Sequence, residues 1–318
     1  VRSLEGELAA SHYGAAVSLE ISDQCPEDLS EFLLDHFHLD RADMFTVDGP
    51  VNLNRLAKVC EIDDRPNLLY EPFTPGLPDE LKTQGSIFAI LKRQNILLHH
   101  PYQSFSPVVD FVGEAAEDPK VLAIKQTLYR TGANSPIVDN LVKAANLGKE
   151  VTVVVELMAR FDEAENISSA NRLQEAGAHV VYGLVGFKTH AKMCMIVRRE
   201  PSGIKRYVHL GTRNYHPGTT RVYTDYGYMS SNESLGEDVH KVFMQLTSLT
   251  VANSLVKIIT APFSLFDALA EKIDREIAIA KDGKNARIIA KVNALIDPKI
   301  IEKLYEASAA GVTIDLIV

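Results

Sequence analysis

Residues 151–157 read VTVVVEL, a run with almost no polar side chains. A strand with apolar side chains on both faces needs cover on both, as in the interior of a parallel α/β sheet. The flanking segments supply that cover. VLAIKQTLYR (121–130) has the pattern of a strand. SPIVDNLVKAANLG (135–148) has that of a helix, with Ser135 as cap, Pro136 at the first position and Gly148 as stop. ISSANRLQEAG gives a second helix ended by Gly177, and HVVYG a third strand. Strand–helix–strand–helix–strand predicts parallel strands joined by right-handed crossovers. Three more strands, THAKMCMIV, KRYVHLGT and TDYGYMSS, and a helix near 233–248 complete this unit.

The expected organisation has three parts. Residues 1–115 form a smaller α+β unit with a strand in HYGAAVSLEIS (12–22), a helix in PEDLSEFLLDHF (26–37), a turn at Asp48–Pro50 followed by a helix, and a proline-rich connector at 67–80. Residues 116–255 form the α/β unit. Residues 256–318 start a second one: after a helix near 262–281, ARIIAKVNALIDPKIIEKLYEASAAGVTIDLIV repeats the strand, loop, helix, glycine, strand order of 121–157, with Lys291 matching Lys125 and Gly311 matching Gly148. The apolar final strand predicts that the chain is a fragment, cut inside that second half.

Charge narrows the function classes. Residues 1–120 carry 9 Lys+Arg against 21 Asp+Glu, residues 121–230 carry 14 against 9, and residues 231–318 carry 10 against 12. A basic block inside a chain of net charge −9 points to a local anion site and not to a nucleic-acid surface. No apolar run reaches the ~18 residues of a membrane span, and VRSLEGELAA has no signal-peptide core. Cys25, Cys60 and Cys194 are odd in number and widely spaced, which fits a reducing compartment and neither a disulfide framework nor a zinc site.

In open α/β sheets, ligands sit outside the carboxyl ends of the strands. Arg130 ends one strand and Arg160 follows the next, so two guanidinium groups could close on one phosphate. The alternative for Arg160 is an ion pair with Asp162 or Glu163. In GFKTHAKMCMIV (186–197), Lys188, His190 and Lys192 are spaced two apart, which on a strand puts them on one face. Flanking cations favour a neutral imidazole, and a neutral imidazole nitrogen can attack phosphorus. The alternative is a histidine satisfied in the core. HLGTRNYHPGTTRVYTDY then carries His209, Thr212, Asn214, Arg221 and Tyr223, with Thr212 and Asn214 at a strand end where they can donate hydrogen bonds to an oxyanion.

His-Ala-Lys followed by Gly-Thr-Arg-Asn resembles the half-motif of the phospholipase D superfamily. DGPVNL, LLHHPYQSF, IKQTLYR, VTVVVELMARFDE, KTHAK, HLGTRNY and YTDYG together resemble one branch of it, the type-1 polyphosphate kinases, over essentially the whole chain. The resemblance implies a phospholipase D-like α/β domain with a mixed, mainly parallel sheet, preceded by a smaller α+β domain and followed by the truncated start of a second such domain. It also implies reversible transfer of the terminal phosphate of ATP to polyphosphate through phosphorylated His190, and the residue pattern adds Lys192 and Asn214 as assisting groups. Tyr223, Arg130, Arg160, Lys188 and His209 would bind nucleotide and phosphate. Mg²⁺ would be carried on phosphates held by Arg130 and Arg160, because arginine is a poor direct ligand for a cation. The implied partners are ATP, ADP and inorganic polyphosphate, not nucleic acid. The implied setting is a cytoplasmic homodimer or homotetramer, compatible with peripheral membrane association. His99 and His100 belong to a matching string and are read as packing residues.

One departure is informative. The broader superfamily has Asp five residues after the motif lysine, where this chain has Val197. That weakens the rival reading of a phospholipase D-like phosphodiesterase. A non-catalytic polyphosphate-binding module, which would need no intact His190, is the other rival.

Overall fold

A computed structural model describes residues 16–62, 65–71, 73–82, 85–129, 135–156, 163–183, 187–216, 223–248 and 254–318. At the N-terminal end, β1 (Leu19–Ser22) and β2 (Met44–Val47) pair in parallel, connected through α1 (Glu27–Phe37). Of the strand expected over 12–22, residues 12–15 lie outside the described residues. The helix expected after Asp48–Pro50 is a tighter turn over Leu53–Lys58 running into a single α-turn, α2 (Val59–Ile62).

The main body follows. It contains α3 (Ile87–Leu91), β3 (Ile96–His100), α4 (Ser106–Glu117), β4 (Val121–Leu128), α5 (Pro136–Asn146), β5 (Glu150–Val155), α6 (Glu163–Glu175), β6 (His179–Val181), β7 (Lys192–Glu200), β8 (Gly203–Gly211), β9 (Asp225–Ser230) and α7 (Glu233–Ser248). Its sheet has seven strands in the order β3-β9-β8-β7-β4-β5-β6. The β4–β5 and β5–β6 pairs are parallel and the other four neighbours antiparallel, so five strands run one way and β7 and β9 run against them. Because β3 is an edge of this sheet, a division near residue 115 falls inside the seven-stranded unit.

Helix α5 starts as its residues dictate. The Ser135 hydroxyl accepts from the Val138 amide at 3.5 Å, Pro136 occupies the first turn, and Gly148 leaves it at φ 81°. Its apolar stripe, Ile137, Val138, Leu141 and Ala144, packs with Phe88, Phe111 and Leu173 of α3, α4 and α6 on one face of the sheet. Val239, Val242 and Phe243 of α7 cover the other face, against Met193, Met195 and Val208. Alternation on β7 divides its side chains accordingly: Cys194 and Ile196 enter the first core, Met193 and Met195 the second.

Beyond α7, α8 (Leu265–Lys281) precedes β10 (Arg287–Lys291), α9 (Pro298–Ala309) and β11 (Thr313–Ile317). β10 and β11 are parallel, the same strand–helix–strand order as β4-α5-β5. Asp297 caps α9 by accepting from the Ile300 amide at 2.9 Å. Among the described residues, no helix is long and apolar enough to cross a membrane.

Candidate active site at the strand-end rim

The reversed direction of β7 determines where its motif lies. β7 is antiparallel to β4, with Gln126 opposite Cys194, so the start of β7 lies beside the carboxyl end of β4. β8 runs back, and its last residue, Gly211, stands opposite Lys192. The ends of β4, β5 and β8 and the starts of β7 and β9 therefore share one rim.

The chain around His190 is held from both sides. The Thr189 amide donates to Glu156 Oε2 at 2.8 Å. The Thr127 hydroxyl donates to the Ala191 carbonyl at 2.8 Å and accepts from the Met193 amide at 2.9 Å. Below this, the Asn166 side-chain amide donates to the carbonyls of Tyr129 at 2.9 Å and Glu156 at 3.0 Å, stapling the ends of β4 and β5 together.

The structure corrects one expectation about the motif. Strand β7 starts only at Lys192, so Lys188 and His190 are not on a strand face. His190 and Lys188 are exposed, whereas Lys192 is buried at 5% exposure. What unites the three is the ring of Tyr129. The Lys192 Nζ lies 4.9 Å from its centroid and the Lys188 Nζ 5.4 Å. The His190 ring centroid is 4.8 Å away, with the ring planes at 87°. Lys192 also donates to the carbonyl oxygen of His190. A buried ammonium is tolerable here because it faces both a π cloud and a carbonyl.

Asn214 lies three residues beyond Gly211, on the same rim, with its carbonyl accepting from the His216 amide at 2.8 Å. Tyr223 is 58% exposed. Its carbonyl accepts from Arg213 Nη1 at 3.1 Å, and the Thr212 hydroxyl donates to Asp225 at 2.7 Å. His209, expected to bind nucleotide or phosphate, is not open to solvent. It is 2% exposed, on the core side of β8, with Nδ1 2.8 Å from the Tyr215 hydroxyl. Burial, and then repulsion from His100, pull its pKa down to about 3, so the ring is neutral. His100 is also buried, with Nδ1 against the Gln103 carbonyl at 2.8 Å, and His99 stacks on Tyr226 at 4.8 Å. Arg130, Arg160 and Arg221 lie outside the described residues.

Tyr129, Thr127, Glu156 and Asn166 were not singled out from the sequence as site residues. For the first three the only signal was their presence in IKQTLYR and VTVVVEL. Among the described residues, no group of three or more His, Cys, Asp or Glu could hold a metal ion. The rim thus carries an exposed imidazole and the exposed Lys188 ammonium, with the Lys192 ammonium buried beside them, groups whose chemistry suits an anion.

Residues 86–252 match the model of polyphosphate kinase C-terminal domain 1, residues 258–318 that of polyphosphate kinase C-terminal domain 2, and residues 1–59 that of the polyphosphate kinase middle domain. The chain is 54% identical over 317 residues to a polyphosphate kinase of Pseudomonas syringae pv. tomato, covering 100% of this chain and 43% of the relative. It is 53% identical over 316 residues to one from Neisseria meningitidis serogroup C, covering 99% and 46%. The crystal structure of polyphosphate kinase from Porphyromonas gingivalis superposes with a TM-score of 0.84 at 32% identity, over 96% of this chain and 47% of that one. The chain thus spans less than half the length of these polyphosphate kinases.

Proposed function

The chain belongs to the polyphosphate kinase family, and from that premise we propose that the whole protein reversibly transfers the terminal phosphate of ATP to polyphosphate through a phosphohistidine at position 190. The observation that carries this reading is the convergence of Lys188, His190 and Lys192 on one ring at the strand-end rim.

A neutral ring nitrogen of His190 attacks the γ-phosphorus in line. The N–P bond forms, the β–γ bridging P–O bond breaks, and ADP leaves with the electron pair. A terminal oxygen of polyphosphate then attacks the same phosphorus and the N–P bond breaks. Lys188 and Lys192 neutralise phosphate oxygens beside the imidazole, Asn214 donates to them, and Tyr223 contacts the nucleotide. Arg130 and Arg160 complete the clamp in this reading. Mg²⁺ would be held through nucleotide phosphates clamped by Arg130 and Arg160, not by direct protein ligands, and would supply charge neutralisation on those phosphates. His209, being buried and neutral, acts from beneath the rim and not as an open phosphate ligand. Assembly into a homodimer or homotetramer is part of the same reading and is supported by the family resemblance alone.

Val197 packs on the α7 side of the sheet, so the position where the broader superfamily carries an acid holds none. The phosphodiesterase reading therefore lacks that group.

The test uses the whole protein and ATP labelled at the γ-phosphate. Acid-labile label on His190, chased into polymer by polyphosphate and absent from His190→Gln, is expected. Label on another side chain, or polymer made by His190→Gln, would overturn the covalent route.

A further inference from the structure

We propose that Tyr129 is a positioning residue for the nucleophile: its ring sets the imidazole of His190 and gathers the two lysines around it. The inference rests on the phosphohistidine reading above and adds a residue that the motif pattern did not mark.

The backbone anchors on Thr189, Ala191 and Met193 fix where the chain runs at His190. They do not fix the imidazole, which is exposed and sits on a non-strand segment. A neighbouring ring restricts which rotamers such a side chain can adopt. Tyr129 provides a wall. Its ring is perpendicular to the imidazole at 4.8 Å between centroids, a favoured arrangement of two aromatic quadrupoles.

The same ring addresses a second difficulty. Lys188 and Lys192 carry like charges on either side of one histidine and repel each other when no anion is present. Both ammonium groups lie within 5.4 Å of the Tyr129 centroid, close enough for the ring quadrupole to hold them. Held against the π face, the exposed Lys188 ammonium keeps N–H donors free to turn toward an incoming phosphate, while the buried Lys192 adds its charge from behind. The residue that carries the ring is buried and its backbone is fixed. Tyr129 is 8% exposed, and its carbonyl accepts from Asn166 at 2.9 Å.

If this is so, position 129 requires a ring and not a hydroxyl, and its loss slows phosphoryl uptake more than it weakens ATP binding. The experiment measures rapid-quench labelling of His190 from γ-labelled ATP in the whole protein. Tyr129→Phe is expected to label within threefold of wild type. Tyr129→Leu is expected to label at least tenfold more slowly, with half-saturating ATP within threefold. Wild-type labelling in Tyr129→Leu, a loss in Tyr129→Phe as large as in Tyr129→Leu, or a change confined to half-saturating ATP would each overturn the proposal.

Two further measurements keep the test decisive. Should Tyr129→Leu fail to fold, pentafluorophenylalanine at 129 keeps the ring shape and inverts its quadrupole. Labelling at least threefold slower than in Tyr129→Phe supports the lysine-gathering role, and equal rates overturn it. Independently of any label, the His190 ring protons should carry a ring-current shift that survives Tyr129→Phe and disappears in Tyr129→Leu. An unchanged shift in Tyr129→Leu refutes the contact. A wild-type protein that takes no label but shows the expected shifts refutes the function and leaves Tyr129 as the residue that sets His190.

Discussion

The Thr127 hydroxyl donates to the carbonyl oxygen of Ala191 at 2.8 Å, one residue past His190, and accepts from the Met193 amide at 2.9 Å. One hydroxyl of β4 thus bridges the place where the motif becomes strand β7. Thr127→Val keeps the shape and removes both bonds, leaving the buried Met193 amide without its acceptor while the exposed Ala191 carbonyl turns to water. The expected cost is ~1–3 kcal/mol in urea unfolding. Thr127→Ser should recover most of it, and in the whole protein should recover turnover as well. Equal stability of the valine and serine variants would mean that the bridge contributes nothing.

Asn166 makes a similar connection between the ends of β4 and β5. Asn166→Leu would strip two carbonyls of their donor and is expected to lower the unfolding free energy by ~1–3 kcal/mol. Phosphoryl transfer should fall with it, because the staple lies directly under Tyr129 and Glu156. A leucine variant with unchanged stability and turnover would show that the staple is dispensable.

Glu200 lies at the other end of β7. Burial opposes its charge, yet hydrogen bonds from Lys92, Tyr207 and Arg198 prevail and bring its pKa down to about 2. The unfolded carboxylate titrates near 4.5, so between pH 4.5 and about 2 the unfolded chain binds the extra proton. The stabilisation is full above pH 4.5 and fades as pH falls through that window, by ~3 kcal/mol in total. Glu200→Gln should flatten the acid limb of the stability curve and be less stable than wild type at pH 7. An acid limb identical to wild type would exclude this network as its source.

His209 gives a second, higher pH window. Its ring stays neutral in the fold down to about pH 3, while in the unfolded chain it takes up a proton near 6.5. Protons therefore favour unfolding as pH drops below 6.5. His209→Phe should remove that part of the slope between pH 6.5 and about 3, whatever its effect at neutral pH. NMR titration of the wild-type His209 ring with a midpoint at its ordinary value would contradict the burial argument.

Arg130 and Arg160 are tested by function. Arg130→Ala and Arg160→Ala in the whole protein are expected to keep the wild-type far-ultraviolet circular dichroism and lose roughly 10³-fold or more in turnover, as for arginines that stabilise transferring phosphoryl groups. Activity within about threefold of wild type would remove either residue from the clamp.

Much of the architecture was legible in the chain. The apolar run at Val151–Val155, the Ser135 cap and the glycine stops gave the parallel segment and its helices, because those signals are local. The place of β3 was not legible. Its partner β9 is more than a hundred residues away, and nothing in ILLHH announces that pairing. Residue type and spacing mark the motif in the sequence but not the face its side chains share. Alternation assumes a strand, and the strand begins only at Lys192. Tyr129 carries no mark in the sequence, because a tyrosine ending an apolar strand looks like packing, and only tertiary contact shows three polar groups gathered on it.

Strands β7 and β8 are joined by just two residues, with Glu200 opposite Gly203, and every rung from there to Lys192 and Gly211 is in step. Parity along this ladder is therefore a condition on drift in the sequence. One residue gained or lost in either arm would turn His209 or Lys192 to the opposite side of the sheet and shift Asn214 along the rim. Descendants of this chain can lengthen or shorten the ribbon only by matched pairs, or must confine their insertions to the loops beyond its open end.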